Sequence, residues 1–464
     1  MSIRFTALII VVTGLCIYAW KDWFKSLCGL ILIMAVIEHE SMPKSILGIQ
    51  GFNLWNVLFL VIFLSWLAER QREGLTWDMP RHVRVLLLLY LGVILVGFLR
   101  AVFDRSNIQD YPLKSLISEE LINTVKWVLP GVLLFDGCRT RRRLVMALVC
   151  LLAMYFLIAV QVIKLMPSNA IYSHLTLENS RREIGDSGYN ACNVSAMLAG
   201  AFWGILAVVP LVHRKKYWIM VLAVAGVFAY GQAITGGRAG YIAWGATGLV
   251  LCIVKWRKQL ILAPLVVMLL PIVFPAAADR ILVGFGQTDV GGQTTTDDSE
   301  MTSGRTLMWP YVIDKICESP IVGYGRKAMQ RTGLSEYVGI ELSDDAWGHP
   351  HNMYLETLLD NGILGSIPIF LFWGMVLKYS ARLFRSNNRL CSAIGGLTLS
   401  LVLTQLFTGI GSQHFYPKEE TFGMWMGMFL AIRVYVEEKQ IQSGVINAEN
   451  SWNSQAFRQQ VAIV

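Results

Sequence analysis

The stretch RRRLVMALVCLLAMYFLIAVQVIKLM, residues 141–166, decides the class of fold. Its arginines stop at Arg143, and from Leu144 to Met166 the chain is apolar but for Gln161 and Lys164, over the ~20 residues a helix needs to cross a bilayer. The same pattern recurs outward in both directions. Comparable blocks run over Phe5–Trp20, Leu54–Leu67, Val85–Phe103, Ala191–Val212, Tyr217–Thr235 and Gly240–Trp256. They continue at Leu260–Pro275, Ile363–Tyr379, Leu390–Ile410 and Phe422–Val436, with weaker ones at Leu27–Ile37 and Ile122–Phe135. A chain of 464 residues that is 55% hydrophobic and 16% charged has too much apolar surface for a soluble protein. The expected fold is all-α and polytopic, with about 12–13 transmembrane helices and one large outer loop containing short helices. Phe5–Trp20 lacks a basic leader and a small-residue cleavage site, so no cleaved signal is expected.

The net charge of +8 follows membrane topology rather than nucleic-acid binding. Basic residues gather in one set of loops: Arg70, Arg72, Arg81 and Arg84; Arg139 and Arg141–Arg143; Arg214–Lys216; Lys255, Arg257 and Lys258; Lys378, Arg382, Arg385 and Arg389. The positive-inside rule makes these cytoplasmic. Four longer segments then lie outside: Asp104–Leu121, Pro167–Asn190, Ala276–Leu359 and Ser412–Thr421. The resulting organisation is an N-terminal transmembrane bundle (1–275), a large outer loop with the chemical elements (276–360), C-terminal transmembrane helices (361–437) and a polar cytoplasmic tail (438–464). Of eight cysteines, Cys317 alone falls in the long outer loop, which argues against an outer disulfide framework. No Cys or His spacing suggests a metal, and no cofactor is expected.

An outer loop of some 80 residues is long enough to expect function. Its early part, Gly284–Ser303, is rich in Gly, Thr, Gln and Asp and reads as mobile. A helix follows, with Met308, Val312 and Ile316 on one face and Arg305 four residues before Trp309. Ile321–Gly325 reads as a tight turn and Glu336–Trp347 as a polar connection. Then comes GHPHNMYLETLLDNGILG, residues 348–365, in which His351 and Asn352 open a helix that ends at Asn361-Gly362.

Outer-face arginines need a partner. Arg238, in the turn Thr235-Gly-Gly-Arg-Ala-Gly240, would have glycine neighbours that let a phosphate approach closely. A headgroup-seeking arginine explains it equally well, and Arg305 alone reads as a surface charge. A neutral His351 at a helix mouth suits a general base, against the plainer reading of a helix-opening histidine packed at a membrane surface. His349 is the alternative base. Arginines can grip a lipid-linked diphosphate without a metal, and a neutral histidine beside them can deprotonate an incoming hydroxyl.

The run Ser303-Gly-Arg305, Trp309, Pro320-Ile-Val-Gly323-Tyr-Gly325, His351-Asn352, Leu355, Gly362 and Gly365 resembles the O-antigen ligase and polymerase superfamily. Its outer loop carries R-x3-W, P-x2-G-x-G and HN-x2-L-x6-G-x2-G elements. Thr235–Gly240 looks like the T-x-SR-G turn of that superfamily, with Gly237 in place of the serine, and Tyr189–Asn193 looks like its PN-x-x-A element.

The resemblance implies an inverting, metal-independent glycosyltransferase of the bacterial inner membrane with its active site facing the periplasm. Its donor would be an undecaprenyl-diphosphate-linked oligosaccharide and its acceptor a sugar or lipid-linked sugar. Arg238 and Arg305 would bind the diphosphate and His351 would activate the acceptor, with Asn352, Trp309 and His349 in support. The segment Gly411–Glu420 resembles one in exopolysaccharide-type members, and His414, Tyr416 and Lys418 there would line an acceptor groove, unless it is an ordinary interfacial aromatic loop. That segment and the loop length favour a polymerase over a ligase acting on lipid A–core. A transporter or flippase of lipid-linked sugars stays open as a different class, as does binding of a chain-length regulator.

Overall fold

A computed structural model describes residues 3–43, 45, 51–75, 77–282, 305–342, 347–412 and 414–442. The glycine- and threonine-rich segment 284–303 and the polar tail beyond 442 lie outside the described residues. Among the described residues every regular element is helical. The first are α1 (Ile3–Ala19), α2 (Trp23–Ile37), α3 (Leu54–Arg72), α4 (Arg81–Phe103) and α5 (Leu129–Gly137). Next come α6 (Arg141–Leu165), α7 (Ala191–Val208), α8 (Lys215–Ala233), α9 (Arg238–Val254), α10 (Ala263–Val273) and α11 (Pro275–Leu282). After them run α12 (Arg305–Glu318), α13 (Leu334–Leu342), α14 (Met353–Arg385), α15 (Arg389–Thr408) and α16 (Phe422–Gln442).

This is a polytopic helical membrane protein. Six helices among the described residues are long and apolar enough to cross a bilayer: α3, α4, α6, α7 with its closing turn to Leu211, α14 and α15. The segment Arg257–Val273, bent by 106° against α11, makes a seventh if the pair counts as one span. The other apolar blocks are helical but shorter or more charged. Ile122–Phe135 begins at the last residue of a π-helix (Ile117–Ile122) and then holds only the single turn Asn123–Val125 and the nine-residue α5, too short to span. Two further readings change as well. Leu334–Leu342 is helix rather than polar connection, and α16 carries the chain to Gln442 before the tail begins.

The centre of the bundle is α15, which packs against α7, α9, α14 and α16. Its small residues permit this. A Cβ on Gly395 would lie 2.4 Å from the backbone nitrogen of Phe384, so only glycine lets α14 approach so closely. Thr398 Oγ1 donates to the Gly427 carbonyl at 2.8 Å, and Thr404 and Thr247 hydroxyls meet at 3.1 Å, so polar groups pair across helices.

The basic loops share one end of the bundle. Arg139 bridges Asp136 and Asp78, Arg433 reaches Asp78 at 2.5 Å, and Lys255 donates to the Phe384 carbonyl at 2.6 Å. The four segments expected outside meet at the opposite end. Arg331 pairs with Asp104 at 2.5 Å, Arg326 with Glu120, Arg280 with Glu178, and Asn193 with Glu420 at 2.9 Å.

Helix α14 is interrupted where the sequence predicts a helix end. Gly362 adopts φ +59, ψ −170, a conformation open to glycine alone. The Pro320–Gly325 turn completes the break. The carbonyls of Pro320 and Ile321 accept from Ile363 and Leu364 N–H at 2.8 and 3.0 Å, while Tyr324 and Gly325 N–H donate to Leu359 and Asp360 carbonyls at 2.9 and 2.6 Å. The backbone groups freed by the interruption are thereby satisfied, and the outer loop is stitched to the mouth of a membrane helix.

Candidate functional site

Asn352 caps α14, its Oδ1 accepting from Tyr354 and Leu355 N–H at 3.0 and 3.2 Å. Met353 N–H donates to the Gly409 carbonyl at 2.8 Å, which pins the helix start to the end of α15. His351 precedes the cap with φ +50, so it lies just outside the helix rather than in its first turn. Its N–H donates to His349 Nδ1 at 3.2 Å, which leaves the His349 proton on Nε2 in the neutral ring. The two rings lie 3.9 Å apart between centroids, and His349 packs on His414 at 5.0 Å. His414 in turn donates Nδ1–H to the Glu356 carboxylate. His349 is therefore held between two imidazoles.

Trp309 closes one side, donating Nε1–H to the Pro350 carbonyl at 3.2 Å, while Met308 and Val312 on the same helix are fully buried in the outer-loop core. Arg305, first residue of α12, points toward α9: a Cβ on Gly411 would lie 3.2 Å from Arg305 Nη1 and 3.9 Å from Ala239 Cβ. Arg305 and Arg238 thus approach one mouth from two elements, and each feels the field of the other or of Arg181.

Arg238 opens α9 after a turn built around Gly236 at φ +66. Tyr241 Oη accepts from Gly236 N–H at 2.9 Å and donates to the Ala233 carbonyl at 2.6 Å, and Ser195 Oγ donates to the Gly237 carbonyl at 3.2 Å. A Cβ at position 237 would stand 2.6 Å from Ser195 Cβ, so the glycine found where the superfamily has serine matches a close helix approach here. Arg181 and Arg280 flank the turn, both paired with Glu178, and Arg280 Nε donates to the Gly236 carbonyl at 3.2 Å. His174 Nε2 lies 3.4 Å from Arg280 Nη1.

The cationic surroundings shape the histidines. Burial first, then Arg305 and His414, pushes His351 down to about 4, and burial with His414 and His351 takes His349 down to about 3. His414 is also lowered by burial, against the pull of Glu356. Desolvation and Arg305 both disfavour the imidazolium at His351, the direction expected for it at a helix mouth. A neutral histidine so placed can accept a proton next to a cluster of arginines. Among the described residues, no group of three His, Cys, Asp or Glu side chains is gathered to hold a metal ion.

The second aromatic segment divides. His414 joins the histidine cluster, and Lys418 adds its charge to His349 and His414. Tyr416 does not line a groove. It is 1% exposed, donates to Asp360 Oδ2 at 2.9 Å and lies beneath the Arg326 guanidinium at 3.5 Å. The buried set Arg326, Glu120, Asp360 and Tyr416 braces the loop against the membrane helices. Glu356, Arg181, Arg280 and Glu178 were not singled out from the sequence. Glu356, one helical turn past Asn352, carried a readable spacing signal, whereas the Glu178 pairings come from a distant outer segment.

Residues 223–370 match a family model described as O-Antigen ligase, a stretch that includes Arg238, Arg305 and His351 but not His414. A "Putative polysaccharide ligase" of Rickettsia conorii is 23% identical over 205 residues, 43% of this chain and 47% of that protein. One of Rickettsia bellii is 25% identical over 199 residues, 42% of this chain and 46% of that protein. The chain spans about half the length of the relatives it matches.

Proposed function

We propose that this chain, whose residues 223–370 match a family model described as O-Antigen ligase, is a membrane glycosyltransferase using an undecaprenyl-diphosphate-linked glycan as donor. Transfer takes place on the periplasmic face of the bacterial inner membrane, where the end bearing the outer loop would lie under the positive-inside rule. The observation that carries the reading is the place of Arg305, whose charge acts both on His351 and on Arg238. In this reading both guanidiniums grip the diphosphate, and His351 takes the proton from the acceptor hydroxyl as its oxygen attacks the anomeric carbon. The bond from that carbon to the diphosphate breaks, the arginines take up the charge on the leaving lipid diphosphate, and a single displacement inverts the centre. Trp309 and Asn352 hold the loop and the helix mouth that position His351.

The acceptor we carry forward is the next lipid-linked repeat, which makes the enzyme a polysaccharide polymerase. Support for this comes from the long outer loop and from His414 and Lys418 beside the histidines; the burial of Tyr416 removes one part of it. A second reading, ligation to lipid A–core, is favoured by the printed names of the Rickettsia relatives. Product lengths in a strain lacking the gene separate the two. Single lipid-linked repeats, extended again by wild type but not by His351→Ala, mean polymerase. Long lipid-linked chains that never reach lipid A–core mean ligase. His351→Ala should cost about 10²–10⁴ in rate while the protein still inserts, and near-normal product from it would remove His351 from the chemistry.

A further inference from the structure

At the basic end of the bundle, far from the arginine turn, a cleft of about 650 Å³ opens between α4, α14 and α16. Its trough is apolar: Leu86, Phe370, Leu371 and Met375 face it, and Phe370 and Leu371 are 38% and 55% exposed. Its mouth carries His82, Lys378 and Lys439. Between trough and mouth, Tyr379 and Tyr435 stack at 3.7 Å with their planes 13° apart, and His82 Nε2 contacts Tyr379 Oη at 2.5 Å. The Arg382 guanidinium lies over the Tyr435 ring at 5.6 Å, adding a further cation.

Acidic residues nearby are committed elsewhere. Glu438 accepts from Ser386 Oγ at 2.9 Å, and Glu437 faces Arg433 at 3.5 Å. Neither Lys378 nor Lys439 has an acidic partner among the described residues. The mouth therefore collects positive charge without balancing carboxylates, at the level where α4 begins and where membrane headgroups lie. From Lys378 back to Phe370 the trough descends ~12 Å along the helix, at 1.5 Å per residue. That depth accommodates the upper part of an acyl chain.

We infer that this cleft is a binding site for one anionic phospholipid, its phosphate held by Lys378 and Lys439 and one acyl chain lying in the Leu86–Met375 trough. A neutral partner would leave the lysines unbalanced, and a soluble anion would leave the trough exposed. The site is separate from the proposed chemistry and does not depend on it.

The test is native mass spectrometry of the full chain in detergent with added phosphatidylglycerol or phosphatidylcholine. Wild type should retain phosphatidylglycerol roughly 30-fold better, the scale of two lysines near an anionic headgroup. Lys378→Gln with Lys439→Gln should abolish the preference. Gly374→Phe should exclude both lipids, and it is structurally open because nothing lies within 4 Å of a Cβ there. Equal retention of the two lipids by wild type overturns the inference, as does a preference that survives both variants. Phosphatidylglycerol retention that rises severalfold on deleting residues 443–464 would give the groove to the chain's own tail and overturn it too.

Discussion

At His351 the backbone occupies the left-handed region, which L-residues adopt at a cost, and the neighbouring His349 ring accepts its N–H. The imidazole so placed feels the charge of Arg305. The pH consequence follows from the sign of the shift. His351 has a folded value of about 4, below its ordinary value near 6.5, so between these two the unfolded chain binds the extra proton. Its contribution to stability is complete above pH ~6.5 and falls as pH drops toward 4. The proton-accepting form likewise persists to about pH 4, so the acid limb of kcat/KM for transfer should lie below pH 5. A limb at the ordinary histidine value in a pH–rate profile would mean a solvated ring and would defeat the assignment. For the arginines the deciding comparison is with lysine. Arg238→Ala or Arg305→Ala should cost about 10²–10³ in transfer rate, and lysine at either position should recover at most tenfold, because a point charge lacks the paired donors. Full recovery by lysine would show that charge alone suffices. These three residues were legible because spacing to Trp309, to the glycines and to Asn352 exposes them along the chain. Glu356 and Arg181 act through partners on other elements, His414 and Glu178, which spacing along one segment does not reveal. Tyr416 misled for the converse reason: an aromatic in an outer loop reads as surface until Arg326 and Asp360 are seen to enclose it.

The break in α14 shows what one glycine does for an element. At Gly362 a Cβ would lie 2.4 Å from the carbonyl carbon of Ile321, in addition to the strain of φ +59. Gly362→Ala should therefore cost roughly 3 kcal/mol and, by detaching the Pro320–Gly325 turn, displace Arg326 and loosen α12 over the histidines. A thermal shift of the purified protein in detergent, read beside transfer activity, checks this. An unchanged transition would mean that the turn does not hold the break. Asn361-Gly362 was readable as a helix end and Ile321–Gly325 as a tight turn. That the two complete one another was not, because the hydrogen bonds join segments some 40 residues apart. A broken helix is also what a transporter would show. Here the interruption sits beside the outer loop and is closed by that loop's own backbone, with Arg100 of α4 donating to Val322 and Gly323 carbonyls at 2.6 and 2.7 Å, so it reads as a fastening rather than a gate. Length was the weaker signal among the spans. Apolar blocks at Ile122–Phe135 and Leu260–Pro275 become a short helix and a bent pair, since Pro130, Pro264 and Pro271 interrupt or restart their helices.

For the whole molecule, the separation of basic loops from the outer segments ties orientation to function. Every arginine and histidine of the candidate site lies at the end opposite Arg139, Lys255 and Arg389, the end that the positive-inside rule would put outside. Most of the fold was legible for this reason: hydropathy marks the spans and charge marks their ends, both properties of the one-dimensional chain. The packing order around α15 was not, because small residues permit many pairings and the choice among them is made by contacts such as Gly395 on Phe384. The chain carries its own probe of orientation. Cys317, near the end of α12, is exposed, whereas Cys28, Cys138, Cys252 and Cys391 are buried and Cys16, Cys150 and Cys192 partly so. A membrane-impermeant maleimide added to intact spheroplasts should therefore label the protein at Cys317, and Cys317→Ser should remove most of that label. Cys317 is exposed and, among the described residues, makes no hydrogen bond or ion pair with a candidate site residue, so the serine variant should keep its transfer activity and show that the labelled population is the folded one. Labelling that appears only after the membrane is opened would place the arginine turn and the histidines on the cytoplasmic face. The lipid-linked donor would then have to be met before it crosses the membrane, and periplasmic transfer would fall, leaving the transporter reading to account for the same arginines.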